Sequence, residues 1–169
     1  MKRIIVIAPI IFLQITLLFS QSDSISVPEW YTKPPQKEGF IYGIGRASNS
    51  DMVTAERIAR INAVSDLVKK KNNIFYSFVT TCDSVLGKNS KSVETIKKIS
   101  IECSGTLTFV IDKDKKMFTT NSGYAFYCMV EQKTDEAIKV FKQKIKSDTE
   151  IKQLLKEKKL LLKKLDEIK

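Results

Sequence analysis

Apolar positions recur along this chain with two different periods. From Asp51 to about Lys71 there is no proline or glycine, and Ala55, Ala59, Ala63 and Leu67 fall four residues apart. That spacing puts them on one face of a helix, where small side chains let the backbone lie close to a sheet. Ile58, Ile61, Val64 and Val68 widen the apolar surface, so the helix is expected to be well buried. Asn49 or Ser50 would cap its start, and Lys69, Lys70 and Lys71 would close it, since cations suit the carbonyl end of a helix dipole.

Elsewhere the pattern reads as strands. Phe40-Ile41-Tyr42 predicts a short strand running into a glycine joint at Gly43 and Gly45, which would supply tight or positive-φ backbone. Ile74 to Leu86 is rich in β-branched and aromatic residues and predicts a long strand. Gly87 to Ser92 reads as a loop, and Val93 to Ile99 fits either a helical turn or a strand start. A strand is expected over Ile101–Ile111 with a bulge at Gly105, then a solvated turn over Asp112–Lys116. Met117–Thr120, a turn at Asn121-Ser122-Gly123 and Tyr124–Glu131 complete a meander whose short connections imply antiparallel pairing.

From about Thr134 to Ile168 the chain is lysine-rich and helical, with a break where Ser147 and Glu150 fit a capping box. Ile151, Leu154, Leu161, Leu165 and Ile168 follow a three-four spacing interrupted by Lys158. This is either a solvated amphipathic helix or a self-associating tail over residues 147–169. The expected fold class is α+β. A small, mostly antiparallel sheet of three to four strands packs against a long alanine-faced helix, and a basic C-terminal helix follows.

The first twenty residues have the form of an export signal: Lys2 and Arg3, an apolar run from Ile4 to Phe19, and small residues at Ser20 and Ser22. The alternative is an N-terminal inner-membrane anchor, for which sixteen residues interrupted by Pro9, Gln14 and Thr16 are short. Residues 21–38 form a lead kept extended by Pro28, Pro34 and Pro35, with Trp30 and Tyr31 stapling it to the domain. The organisation is therefore 1–20 signal, 21–38 lead, 39–132 α+β domain and 133–169 helical segment. The expected location is the periplasm or the outer-membrane surface.

Composition narrows the chemistry. The chain has 169 residues, a net charge of +10 and no histidine. The usual general base near neutral pH and the commonest zinc ligand are missing with it. Loss of Lys2 and Arg3 with the signal lowers the charge to +8, which favours an anionic envelope surface as partner. The lysines are not interleaved with aromatics, which argues against nucleic acid. Gly43-Ile44-Gly45 is not a phosphate loop, because Ser48 stands at the third glycine position and the acidic residue downstream, Asp66, lies in the helix. Asp112 and Asp114 are separated by lysine, which opposes calcium. Cys82, Cys103 and Cys128 are widely spaced, and fit either buried thiols or one disulfide with a thiol left over. No catalytic residue, metal or cofactor is expected.

The order PEWY with PP, then FIYGIGRAS, then the alanine-spaced helix, then YAFYCMVE resembles the LPP-twenty lipoprotein family over Pro28 to about Val130. That family is named for a Helicobacter outer-membrane lipoprotein, and is related to the N-terminal domain of flagellar assembly protein T. The residues that carry the resemblance are Pro28, Trp30, Tyr31, Tyr42, Gly43, Gly45, Ala55, Ala59, Ala63 and Leu67. It implies an exported, envelope-associated domain with helices packed on a small mixed sheet and no catalytic residues; a structural or binding role is expected, with an unknown envelope protein or an anionic envelope surface as partner. The chain departs from the family in having no cysteine directly after its apolar run, so it lacks the usual lipid attachment point. Two further functions stay open: a self-assembling accessory of a surface or flagellar structure, and a small envelope enzyme or thiol protein.

Overall fold

A computed structural model describes residues 26–168, so the signal reading of residues 1–20 lies outside the described part. In chain order the elements are α1 (Glu29–Thr32), β1 (Phe40–Asn49), α2 (Met52–Leu86), α3 (Lys91–Gly105), β2 (Ile111–Thr120) and β3 (Gly123–Lys133). Three helices follow: α4 (Asp135–Ser147), α5 (Thr149–Glu157) and α6 (Lys159–Asp166). The fold is α+β. Its antiparallel three-stranded sheet has the order β1-β3-β2, and the long helix α2 packs against it.

Asp51 caps α2: its carboxylate accepts the Thr54 N–H at 2.7 Å, while Asn49 accepts the Asp51 N–H at 2.9 Å. The alanine stripe is fully buried, but Ile58 and Ile61 face solvent. The helix does not stop at the three lysines. It runs on for 35 residues to Gly87, whose φ of 85° ends it. The strand expected over Ile74–Leu86 is therefore helix, and the four-residue stripe continues through Lys71, Phe75 and Val79, with Cys82 three residues on. Thr80, Thr81 and Ser84 fit a helix by donating their hydroxyls to carbonyls one turn back, those of Tyr76, Ser77 and Thr80. Residues 101–105 are likewise helical, and Gly105 ends α3 rather than forming a bulge.

The glycine joint is also corrected. Gly43 and Gly45 lie inside the ten-residue strand β1, and neither has a positive φ. A Cβ on Gly43 would fall on the Ala63 carbonyl and on Leu67 Cβ; one on Gly45 would fall on Ala59 O and Ala63 N. Bare glycine on the strand meets alanine on the helix, so the two backbones touch.

The segment read as a solvated turn, Asp112–Lys116, is the first half of β2, with a register shift between Asp112 and Asp114. Its charges misled because an exposed edge strand carries lysine and a bulge to block further pairing. Asp112 and Lys115 bind α2 through Arg60 at 2.9 Å and Glu56 at 2.8 Å. The other edge, β1, is closed by α2 itself. Asn62 donates to Arg46 O, Asp66 accepts from Ile44 N–H, and Lys70 donates to Tyr42 O, each at 2.9 Å.

Two hydrophobic clusters share α2. Its first half packs with Ile41, Phe126, Cys128 and Val130 of the sheet. Its second half packs with α3–α6, where Phe75 stacks on Phe141 at 4.2 Å. The helical block breaks at Asp148, which caps α5 by accepting from the Ile151 N–H at 3.0 Å, and again at Lys158. Ile151, Leu161, Leu165 and Ile168 are buried in this second cluster.

Candidate functional site

The residues singled out in the sequence assemble into packing surfaces. Gly43, Gly45, Ala55, Ala59, Ala63 and Leu67 form one strand–helix contact. Pro28 precedes α1, a single helical turn in the lead that was expected to be extended throughout. On the face of the sheet away from α2, Tyr31 meets Tyr127 edge-on at 5.0 Å, and Phe118 meets the same ring at 5.7 Å. Trp30 buries its indole N–H without an acceptor among the described residues, and Tyr42 is buried in β1.

The three cysteines are buried free thiols. Cys82 and Cys103 lie in the helical cluster, Cys128 in the sheet cluster. Burial pushes the Cys82 thiol up to about 12, with Asp83 adding to the effect, and burial also raises Cys103 and Cys128. A thiol held protonated is a poor nucleophile and a poor metal ligand. Among the described residues no group of three or more cysteine, aspartate or glutamate side chains is placed to hold a metal ion.

The most unusual chemistry sits at Lys71, which is 1% exposed. Its ammonium donates to the Thr106 carbonyl and, at 3.0 Å, to the Gln132 amide oxygen. Both acceptors are neutral, so burial pulls the Lys71 pKa below its ordinary value. Gln132, also buried, donates its NH₂ to the Thr108 carbonyl at 2.6 Å. Two buried side chains, one from α2 and one from β3, thus hold alternate carbonyls of the 106–110 connection. The connection bends at Thr108 and Phe109, and with its carbonyls turned to the protein every side chain from Thr106 to Phe109 is exposed. Leu107, Phe109 and Ile111 are 46, 81 and 57% exposed. They form an apolar ridge fixed from beneath.

Phe109 has a φ of 55°, a left-handed conformation that costs a residue with a Cβ about 1–2 kcal/mol. Beside the ridge is a cavity of about 450 Å³ lined by Phe40, Phe109 and Ile111 on its apolar side. Glu131, Asp135 and Glu136 supply carboxylates, and Lys133 one cation. Asp135 and Glu136 occupy the first turn of α4, where the helix dipole favours negative charge.

Sequence reasoning missed this site. Lys71 read as a helix-closing cation because its partner Gln132 lies 61 residues away, and Phe109 was placed inside a strand. A lysine standing in the four-residue apolar stripe was the available signal. No family model, no curated protein and no solved structure matches this chain.

Proposed function

We propose that this chain is a non-catalytic docking module of a bacterial cell envelope, exported by its apolar leader and engaging a partner protein through Leu107, Phe109 and Ile111. One observation carries the reading: a buried lysine and a buried glutamine are committed to holding an apolar ridge out in water. Burying a lysine is costly, and exposing large apolar side chains forgoes the stabilisation that burial would give them. A connection serving stability alone would turn those side chains inward. Rigidly presented apolar anchors are instead what a binding surface needs.

The envelope assignment rests on the leader and on the resemblance to the LPP-twenty family. Supporting the latter, FIYGIGRAS, the alanine helix and YAFYCMVE pack directly on one another, and the PEWY segment lies across the opposite face of the same sheet. The non-catalytic character rests on the lack of histidine and on three buried thiols. The seam of the lysine-rich tail is occupied by the chain's own core, which favours the ridge over the tail as the docking element.

The test is site-specific photo-crosslinking in the source cell followed by fractionation. A crosslinker at position 109 should capture a discrete partner in the envelope fraction. One at Tyr76, also exposed but on α2, should not. Identical products from both positions, or a protein confined to the cytosol, would refute the proposal.

A further inference from the structure

Building on that docking reading, we infer that the partner segment is cationic as well as apolar: a short stretch with a leucine- or phenylalanine-sized anchor beside lysine or arginine. The anchor enters the cavity between Phe40, Phe109 and Ile111, and the cation meets Asp135 and Glu136.

Charge decides the matter. The chain as a whole is strongly basic, with a net charge of +10, yet three of the four charged residues lining this cavity are acidic. The dipole of α4 accounts for Asp135 and Glu136, but Glu131 is on β3 and gains nothing from it. Glu131 is largely buried and paired with Lys113, whose Nζ lies 3.4 and 3.5 Å from its two oxygens, which leaves Asp135 and Glu136 as the carboxylates open to an arriving cation. A neutral apolar segment would strip water from Asp135 and Glu136 without replacing it, and an anionic membrane surface would be repelled by them. A cationic segment satisfies them. Phe40 itself holds a cation outside this cavity, where Lys37 sits over its ring at 4.2 Å from the centroid. An arriving lysine or arginine finds the same electrostatics at the rings facing the cavity.

The test uses the whole chain and three fluorescent six-residue peptides, read by anisotropy. One alternates lysine with leucine and phenylalanine; the others carry serine or glutamate in place of lysine. The lysine peptide should bind about tenfold or more tightly than either control, and should weaken as salt is raised. Glu136→Gln should reduce its affinity several-fold. Phe109→Gly should abolish binding while leaving the fold intact, since glycine takes the φ of 55° freely and an exposed ring contributes little to stability. If the serine peptide binds as tightly as the lysine peptide and Phe109→Gly removes both, the ridge docks but the partner is not cationic, and this inference is wrong. If the lysine peptide binds Phe109→Gly unchanged, or if only phosphatidylglycerol vesicles are retained in co-sedimentation, the inference and the docking reading fail together. Failure of every peptide and vesicle to bind also overturns both.

Discussion

Gly45→Ala tests the contact between β1 and α2 directly, because a flexible joint and a packed strand predict opposite signs for it. At a flexible joint, alanine would stabilise the protein by about 0.4–1 kcal/mol by restricting the unfolded chain. In the structure the new Cβ has nowhere to go. It would lie on Ala59 O, Ala63 N and Asn62 C, all backbone atoms of α2. A flexible side chain could swing aside, whereas a helix must retreat as a body. Retreat separates Ala59 and Ala63 from the strand along a contact with no larger side chain to fill the gap. Overpacking costs about 1–3 kcal/mol, occasionally more, and backbone collisions belong at the upper end. Less the entropic gain, a loss of about 2–3 kcal/mol is expected. For a chain of this size that lowers the Tm by roughly 4–12 °C. The assay is urea and thermal unfolding of Gly45→Ala beside Gly105→Ala, whose Cβ would meet open space and whose stability should hold or rise. If Gly45→Ala melts at or above the parent temperature, the packing argument is wrong.

Four other outcomes follow from the structure. Lys71→Met should destabilise the chain by about 1–3 kcal/mol by stranding the Thr106 carbonyl and the Gln132 amide, with faster hydrogen exchange over 106–110 as the local readout. Because folding lowers the Lys71 pKa, its charged form costs stability at all lower pH, and the cost is relieved as pH climbs through the folded value towards 10.5. The parent should therefore gain stability relative to Lys71→Met over that alkaline range; a constant difference would refute a desolvated ammonium. Thiol reagents at pH 8 should leave the native protein unmodified and titrate three thiols only after unfolding, and rapid native reaction at Cys82 would contradict its burial. Asp66→Ala should cost about 1–3 kcal/mol by leaving the Ile44 N–H without its acceptor, checked by urea unfolding and by exchange at that amide.

The first half of α2 was legible because alanine at four-residue intervals marks a helix face that must lie close to a neighbour. Its second half was not. Phe75-Tyr76, Val79 and two threonines carry strand propensity, and the helix absorbs them by burying one side and turning hydroxyls back onto carbonyls. β3 was legible from its apolar, aromatic-rich run and β2 only over Met117–Thr120, while the first half of β2 hid behind the charges that protect an edge. The candidate site was illegible on different grounds. Its ridge is held through hydrogen bonds spanning 24 to 61 residues, and no local pattern encodes such a pairing.

The length of α2 has a mechanical consequence. At about 1.5 Å per residue its 35 residues make a rod of roughly 50 Å, clamped by the sheet over one half and by four helices over the other. Lys71 sits near the changeover and ties the rod to the ridge. A force that tilts the helical end cannot be taken up by a linker, since there is none between the halves. The rod would carry it as a lever, with the ridge beside its fulcrum.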